Sequence, residues 1–196
     1  MVKFSSGNRR HHETVFCGGD ALIIVDVQND FCPGGALEVK DGDAVVPVLN
    51  EAIEAAVEAD IPIVVSRDWH PEKHCSFEEQ GGPWPHHCEQ ETLGADFHPD
   101  LALAADYHLV SKGEFESQDQ YSALDGTGLA DWLRHQDVKR VWVGGLAQDV
   151  CVKATVLDAC KAGFKVMLIR DATRAVDPDG GRRALDEMKA AGAELV

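Results

Sequence analysis

Short apolar runs that alternate with stretches of helical periodicity constrain this chain more than any other feature. ALIIVD at 21–26 is a run of five apolar residues closed by an aspartate, the pattern of a parallel strand buried on both faces. AVVPVLNEAIEAAVEA at 44–59 then sets apolar residues at helical spacing, with Pro47 in the first turn, where a missing N–H costs least. The same reading gives strands at 61–66, 107–112, 140–145 and 164–171, and helices at 128–136, 149–162 and 181–192. Gly192 stops the last helix, and the terminal AELV is a candidate edge strand. Such alternation predicts an α/β fold: an open, mostly parallel sheet with helices on both faces.

The alternation breaks once. Residues 67–105 form a long segment rich in Pro, Gly, His and Trp. Loops of this length in compact domains are functional or disordered, and Trp69 and Trp84 argue for order.

A chain of 196 residues fits one domain with a real core. Residues 1–18 read as a loose, polar N-terminal segment, and 19–196 as a single domain. With 34 Asp and Glu against 18 Lys and Arg, the formal net charge is −16. That surface repels nucleic acid and anionic membranes, while small neutral or cationic substrates remain compatible. No apolar run reaches membrane-spanning length and the N-terminus lacks a signal-peptide core, so the expected location is cytoplasmic. Six cysteines without a CxxC, in a chain that needs no disulfide scaffold, read as free thiols.

Open α/β sheets bind ligands beyond the carboxyl ends of their strands. The residues at those ends are Asp26, Asp68 with His70, Lys112, Cys151 and Asp171. Cys151 follows RVWVGG and opens a helical segment, where unpaired N–H groups stabilise a thiolate, lower its pKa and can hold an oxyanion. The competing reading is core packing, since free cysteine is among the most buried residue types. Cys160 reads as core, and Cys17, Cys32, Cys75 and Cys88 as structural. Asp26, after five apolar residues, must be paired or bear a desolvation cost; burial would raise its pKa, while a nearby lysine, such as Lys112, would keep it ionised. The three would supply a nucleophile, a base and a cation holding the base, against the plainer reading of a loop-capping aspartate and a surface lysine.

RDWHPEKHCSF sets Asp68 and His70 two apart with His74 four further on, and WPHHC adds His86 and His87. A carboxylate with two or three imidazoles is a reasonable N/O site for one divalent metal, Zn, Fe or Mn. Taken singly, each histidine fits an ordinary loop residue better than a ligand. Phe31, Trp69, Trp84 and Tyr121 offer either an aromatic slot for a flat substrate or ordinary packing.

These blocks resemble the bacterial nicotinamidases, also called pyrazinamidases, within the isochorismatase-like cysteine hydrolase family. The resemblance runs in order through ALIIVDVQNDFCPGGAL, SRDWHPEKHCSF, WPHHC, SKGEFESQDQYSALDG and GGLAQDVCVKAT, covering nearly everything after residue 20. It implies a three-layer fold with a six-stranded parallel sheet between helices, and hydrolysis of nicotinamide, or pyrazinamide, through a thioester. It implies Cys151 as nucleophile, Asp26 as base and Lys112 as third triad member, with Asp68, His70 and His87 as metal ligands. His74 matches a position that ligates directly in some members and is replaced by water in others. A cis peptide before the residue matching Ala147 is implied, with the N–H groups of Ala147 and Cys151 turned toward the oxyanion. Phe31, Trp84 and Tyr121 match residues lining the nicotinamide pocket.

One departure is Gln148, where many members have Thr. The retained metal motif speaks against relatives acting on isochorismate, N-carbamoylsarcosine or ureidoacrylate. The implied partner is a small-molecule amide, and the family includes both monomers and homo-oligomers. Three alternatives stay open on the residues: another small-amide hydrolase with the same triad, metal-activated water with Cys151 structural, and a noncatalytic binding or metal-storage module.

Overall fold

Six strands form one sheet in the order β5-β4-β3-β6-β7-β8, every neighbouring pair parallel, in the computed structural model, which describes residues 2–4 and 14–196. The strands are β3 (Asp20–Val25), β4 (Ile63–Asp68), β5 (His108–Lys112), β6 (Arg140–Leu146), β7 (Lys165–Arg174) and β8 (Glu194–Leu195). The helices are α1 (Val45–Glu58), α2 (Leu129–His135), α3 (Lys153–Lys161) and α4 (Pro178–Ala190). Before the sheet, β1 (Val2–Phe4) pairs antiparallel with β2 (Thr14–Phe16). The loose segment expected at 1–18 therefore contains a short ladder, and its remaining expectation over residues 1 and 5–13 falls outside the described residues.

The period of two along a strand builds the layers. Leu22 and Ile24 of β3 pack with Leu49 and Ile53 of α1, while Ile23 and Val25 join Leu133 of α2, Val156 of α3 and Met188 of α4 on the other face. Every β3 residue is buried, which is why positions 21–25 read as a continuous apolar run. The central pairing demands a close approach at Gly145, whose φ is 130° and where a Cβ would run into the Val25 backbone. Phe16 closes the lower core with its ring edge-on to Trp142, centroids 5.2 Å apart.

Three boundaries differ from the sequence reading by more than two residues. The helix expected over 149–162 is divided: Gln148–Val152 is a π-helical turn, because the Ala147 carbonyl accepts the N–H groups of both Val150 and Val152, and α3 begins only at Lys153. The helix expected at 181 starts at Pro178, since Asp177 caps it by accepting the Gly180 N–H at 2.6 Å and proline suits the first helical position. β7 extends to Arg174 through a register shift opposite Val143 and Gly145. Asp171 consequently lies within the irregular part of β7, exposed, rather than at a strand end. The segment 67–105 is ordered by turns, a 3-10 turn at Glu78–Gln80 and isolated bridges such as His70 with Glu89 and Phe77 with Trp84.

Candidate active site

The carboxyl ends of β3, β4 and β5 carry Asp26, Asp68 and Lys112, and all three side chains are buried. Asp26 follows the last residue of β3 with φ 47°, a region that non-glycine residues adopt rarely and at a cost of about 1–3 kcal/mol. The turn aims its carboxylate inward. There Oδ1 accepts the Ser66 hydroxyl at 2.6 Å and Oδ2 accepts Lys112 Nζ at 2.6 Å. Lys112 also donates to the Tyr121 carbonyl at 2.9 Å and lies 2.9 Å from Asp68 Oδ1. That last contact is an ion pair off the line of a hydrogen bond, so Asp68 Oδ1 is a buried carboxylate oxygen without a donor.

Burial raises the Asp26 carboxyl above its ordinary value, opposed by the Lys112 charge and reinforced by Asp68. For Asp68, burial pushes the same way, but Lys112 and then His70 outweigh it and hold the carboxyl below the usual range. Burial would lower Lys112, yet the two carboxylates raise it well above an ordinary lysine. The lysine is thus a fixed cation between two acids.

Cys151 lies in the π-helical turn after β6, and its sulfur is within 4.8 Å of carboxylate oxygens of both Asp26 and Asp68. The peptide before Ala147 is cis. Here the structure departs from the expected acidic thiol. Burial, resisted by Lys112 and aided by Asp26 and Asp68, pushes Cys151 well above an ordinary cysteine. Cys32, buried elsewhere, is pushed up to about 11 by the same desolvation. A perturbed thiol therefore does not single out Cys151; the carboxylate beside it does. All six cysteines are free, with Cys32 and Cys88 buried, Cys75 and Cys160 half-buried and Cys17 exposed.

Asp68, His70 and His87 form a second cluster, all buried, with one potential ligand atom from each within 4.8 Å of the others. Hydrogen bonds orient the rings. His70 Nδ1 donates to the Gly113 carbonyl at 3.1 Å and His87 Nδ1 to the Pro85 carbonyl at 2.7 Å, which leaves each Nε2 with its lone pair available. Burial lowers the His87 pKa, favouring the neutral form that ligates. His74 stacks on His70 with centroids 4.0 Å apart, but both its nitrogens are engaged: Nε2 donates to the Gln118 carbonyl at 2.9 Å and Nδ1 meets the Ser76 hydroxyl at 2.7 Å. His86 turns away, stacked on Phe77 and bonded to Glu89 at 2.7 Å.

This donor set fits a divalent cation. Two imidazole nitrogens and a carboxylate converge, one buried carboxylate oxygen lacks a donor, and two buried carboxylates face a single buried lysine.

Cys151 of the first cluster and Asp68, His70 and His87 of the second line one cavity of about 480 Å³, part of it reaching solvent, which Phe31, Trp84, Tyr121 and Ala147 also line. Trp84 Nε1 donates to the Tyr121 hydroxyl at 3.1 Å, locking two walls together. Trp69 lies outside these walls, with the Arg67 guanidinium 3.6 Å over its ring. Gln148 turns from the cavity and donates to Thr173 Oγ1 at 2.8 Å.

Two further residues support the site and were not legible as such. Ser66 sits inside an apolar strand and holds Asp26. Gln28 is fully buried; it accepts the Asp68 N–H at 2.8 Å and donates to the carbonyls of Asp68 and Ala95 at 2.7 and 2.9 Å, clamping the end of β4 to the long loop. The signal for Ser66 was a polar residue in a run otherwise destined for the core; Gln28, followed by the polar Asn29 and Asp30, carried no such signal.

Residues 20–196 match the isochorismatase domain. This chain belongs to the isochorismatase family. Within that family it is 43% identical to the nicotinamidase of Escherichia coli over 201 aligned residues, 89% of this chain and 93% of the relative. It superposes with a TM-score of 0.88 and 49% identity on the zinc complex of the Pyrococcus horikoshii pyrazinamidase, covering 91% of this chain and 98% of the other. The PnC1 protein of L. infantum, in complex with nicotinate, gives a TM-score of 0.86 at 42% identity, covering 93% and 94%. The mostly parallel sheet expected from the strand-helix alternation is parallel at every pair, and it is the sheet of this isochorismatase fold.

Proposed function

We propose that the protein hydrolyses nicotinamide to nicotinate and ammonia, and accepts pyrazinamide, with Cys151 as nucleophile, Asp26 as general base and acid, and Lys112 as the third triad member. The observation that carries the reading is one cavity walled by both a thiol beside a carboxylate and a convergent Asp68/His70/His87 ligand set. The named activities of the relatives support it.

The mechanism follows from what each residue can hold. Asp68, His70 and His87 would bind one divalent ion (zinc, iron or manganese, with the zinc-bound relative favouring zinc), and His74 would brace His70. When bound, the ion supplies a Lewis-acid anchor for the pyridine nitrogen. Phe31, Trp84 and Tyr121 hold the flat ring so that its carboxamide faces Cys151. Asp26, raised by burial, takes the thiol proton as sulfur attacks the carbonyl carbon, so the high thiol pKa is met by a base already in place. The N–H groups of Ala147 and Cys151 receive the negative charge on oxygen. As the C–N bond breaks, Asp26 returns the proton to the departing ammonia, leaving a thioester. Water, losing its proton to Asp26, attacks that thioester; collapse expels the sulfur, Asp26 returns the proton to it, and nicotinic acid leaves as nicotinate with its own proton lost to solvent. Lys112 keeps Asp26 oriented and offsets the charge passing through it.

The formal charge of −16 supports a small-molecule partner over nucleic acid, and no helix among the described residues is long and apolar enough to cross a membrane. We take residues 19–196 as one hydrolase domain working in the cytoplasm; neither reading depends on whether the enzyme is a monomer or a homo-oligomer. An amide panel tests the function. Nicotinamide and pyrazinamide should release ammonia, whereas benzamide, lacking the ring nitrogen, should be slower by about 10²-fold, the scale of losing a positioning contact. Equal turnover of benzamide, or turnover of another amide with none of nicotinamide, would overturn the assignment.

A further inference from the structure

The turn that carries Cys151 is fastened from outside by a side chain with no role in the chemistry above. Asp149 stands two residues before the thiol, half-buried in the π-helical turn. Its two carboxylate oxygens accept separate backbone N–H groups from a distant segment: Oδ1 from Val176 at 2.9 Å and Oδ2 from Asp177 at 3.1 Å. Asp177 is itself the cap of α4, so the fork ties the nucleophile turn to a helix start already held in place. Close packing completes the joint. A Cβ on Gly180 would lie 2.9 Å from Asp149 Oδ2, and one on Gly181 would lie 2.8 Å from Gln148 Oε1. On the same side, Gln148 reaches Thr173 of β7. Val150 and Val176, the neighbours of these contacts, both line the cavity.

An aspartate that merely caps a helix receives N–H groups from its own first turn. Asp149 instead spans 27 and 28 positions, and its partners flank the cavity wall. We propose that Asp149 is a positioning residue for the hydrolysis, setting the lateral placement of the turn that carries Ala147 and Cys151 against the β7–α4 connection. The inference rests on Cys151 as nucleophile. A carboxylate suits the task because it accepts two N–H groups at once with charge assistance; asparagine keeps one acceptor and turns an NH2 toward the second N–H. Displacement of the thiol by about 1 Å costs on the order of 10²-fold in rate.

The experiment compares wild type, Asp149→Asn and Asp149→Ala as full-length, zinc-loaded protein. Three quantities are measured: kcat and KM for nicotinamide, the melting temperature, and the rate of Cys151 alkylation by iodoacetamide resolved by peptide mass. For Asp149→Ala the expected result is a fall in kcat of roughly 10- to 100-fold with KM within about 3-fold, at a melting temperature near wild type. Alkylation of Cys151, buried in the wild type, should quicken several-fold as the turn loosens, with Asp149→Asn between the two. A kcat within 2-fold of wild type in Asp149→Ala would overturn the proposal, as would equal rise of KM and loss of stability without a kcat effect. Should wild type fail to turn over nicotinamide, the functional assignment falls on its own. The alkylation rate then decides the role of Asp149, an unchanged rate counting against it.

Discussion

The two halves of the site are built in opposite ways. The half that holds the proposed triad hangs from the ends of β3, β5 and β6, where the parallel sheet fixes the backbone and buries Asp26 and Lys112 completely. The metal-capable half draws Asp68 from a strand end but His70 and His87 from the long irregular segment, held by single hydrogen bonds to the Gly113 and Pro85 carbonyls. The sheet half uses rigidity to keep charges together in a dry place. The loop half carries groups that a bound cation would draw together, which would couple its order to its ligand.

The largest effect that would break this contrast lies at Lys112. Lys112→Met leaves Asp26 and Asp68 facing each other in a buried site, and we expect about 3–5 kcal/mol of destabilisation with activity lost, measurable by chemical denaturation and ammonia release. A near-normal denaturation midpoint would show that the sheet half does not rest on that cation. Second in size is metal removal. Chelation, or His87→Ala, should cut activity by at least about 10²-fold. It should also speed amide exchange across residues 69–97 more than in β3 and β6, as mass-resolved hydrogen exchange would report. Equal loss of protection in sheet and loop would erase the distinction.

A third test sharpens the boundary between the halves. Gly113 has φ 60°, and a Cβ there would run into His70 Nδ1. Gly113→Ala should therefore weaken zinc affinity by about 10- to 100-fold, read by competition with a chromogenic chelator, while leaving Cys151 alkylation close to wild type. Smallest is Gln148→Thr. Since Gln148 points to Thr173 and away from the cavity, kcat/KM should change by less than about 3-fold, within the range of a substitution outside the reacting groups.

The same contrast explains what the sequence disclosed. β3 and β6 were legible because burial on both faces leaves an uninterrupted apolar run, and whatever polar residue ends such a run is conspicuous; Asp26 was found in this way. The π-helical turn was not legible. Its periodicity over five residues blends into that of α3, and the doubled acceptance at the Ala147 carbonyl is a backbone event with no side-chain signature. Asp171 misled because the register shift in β7 carries the strand past it. The state of the Cys151 thiol was inverted for a related reason: a helix start seen in sequence suggests stabilised charge, while only the fold reveals two carboxylates and full burial around the sulfur. In the loop, the Asp-x-His spacing marked a ligand pair, but whether His74, His86 or His87 completed it depended on which way each ring turned.

Ammonia release from nicotinamide by wild type and Cys151→Ala, at matched zinc content, tests the central assignment most directly. The expected result is steady release by wild type and a loss of at least about 10³-fold in the variant, as for removal of a covalent nucleophile, with metal binding and melting temperature unchanged. Retention of most activity in Cys151→Ala would contradict the account and give the reaction to a metal-activated water.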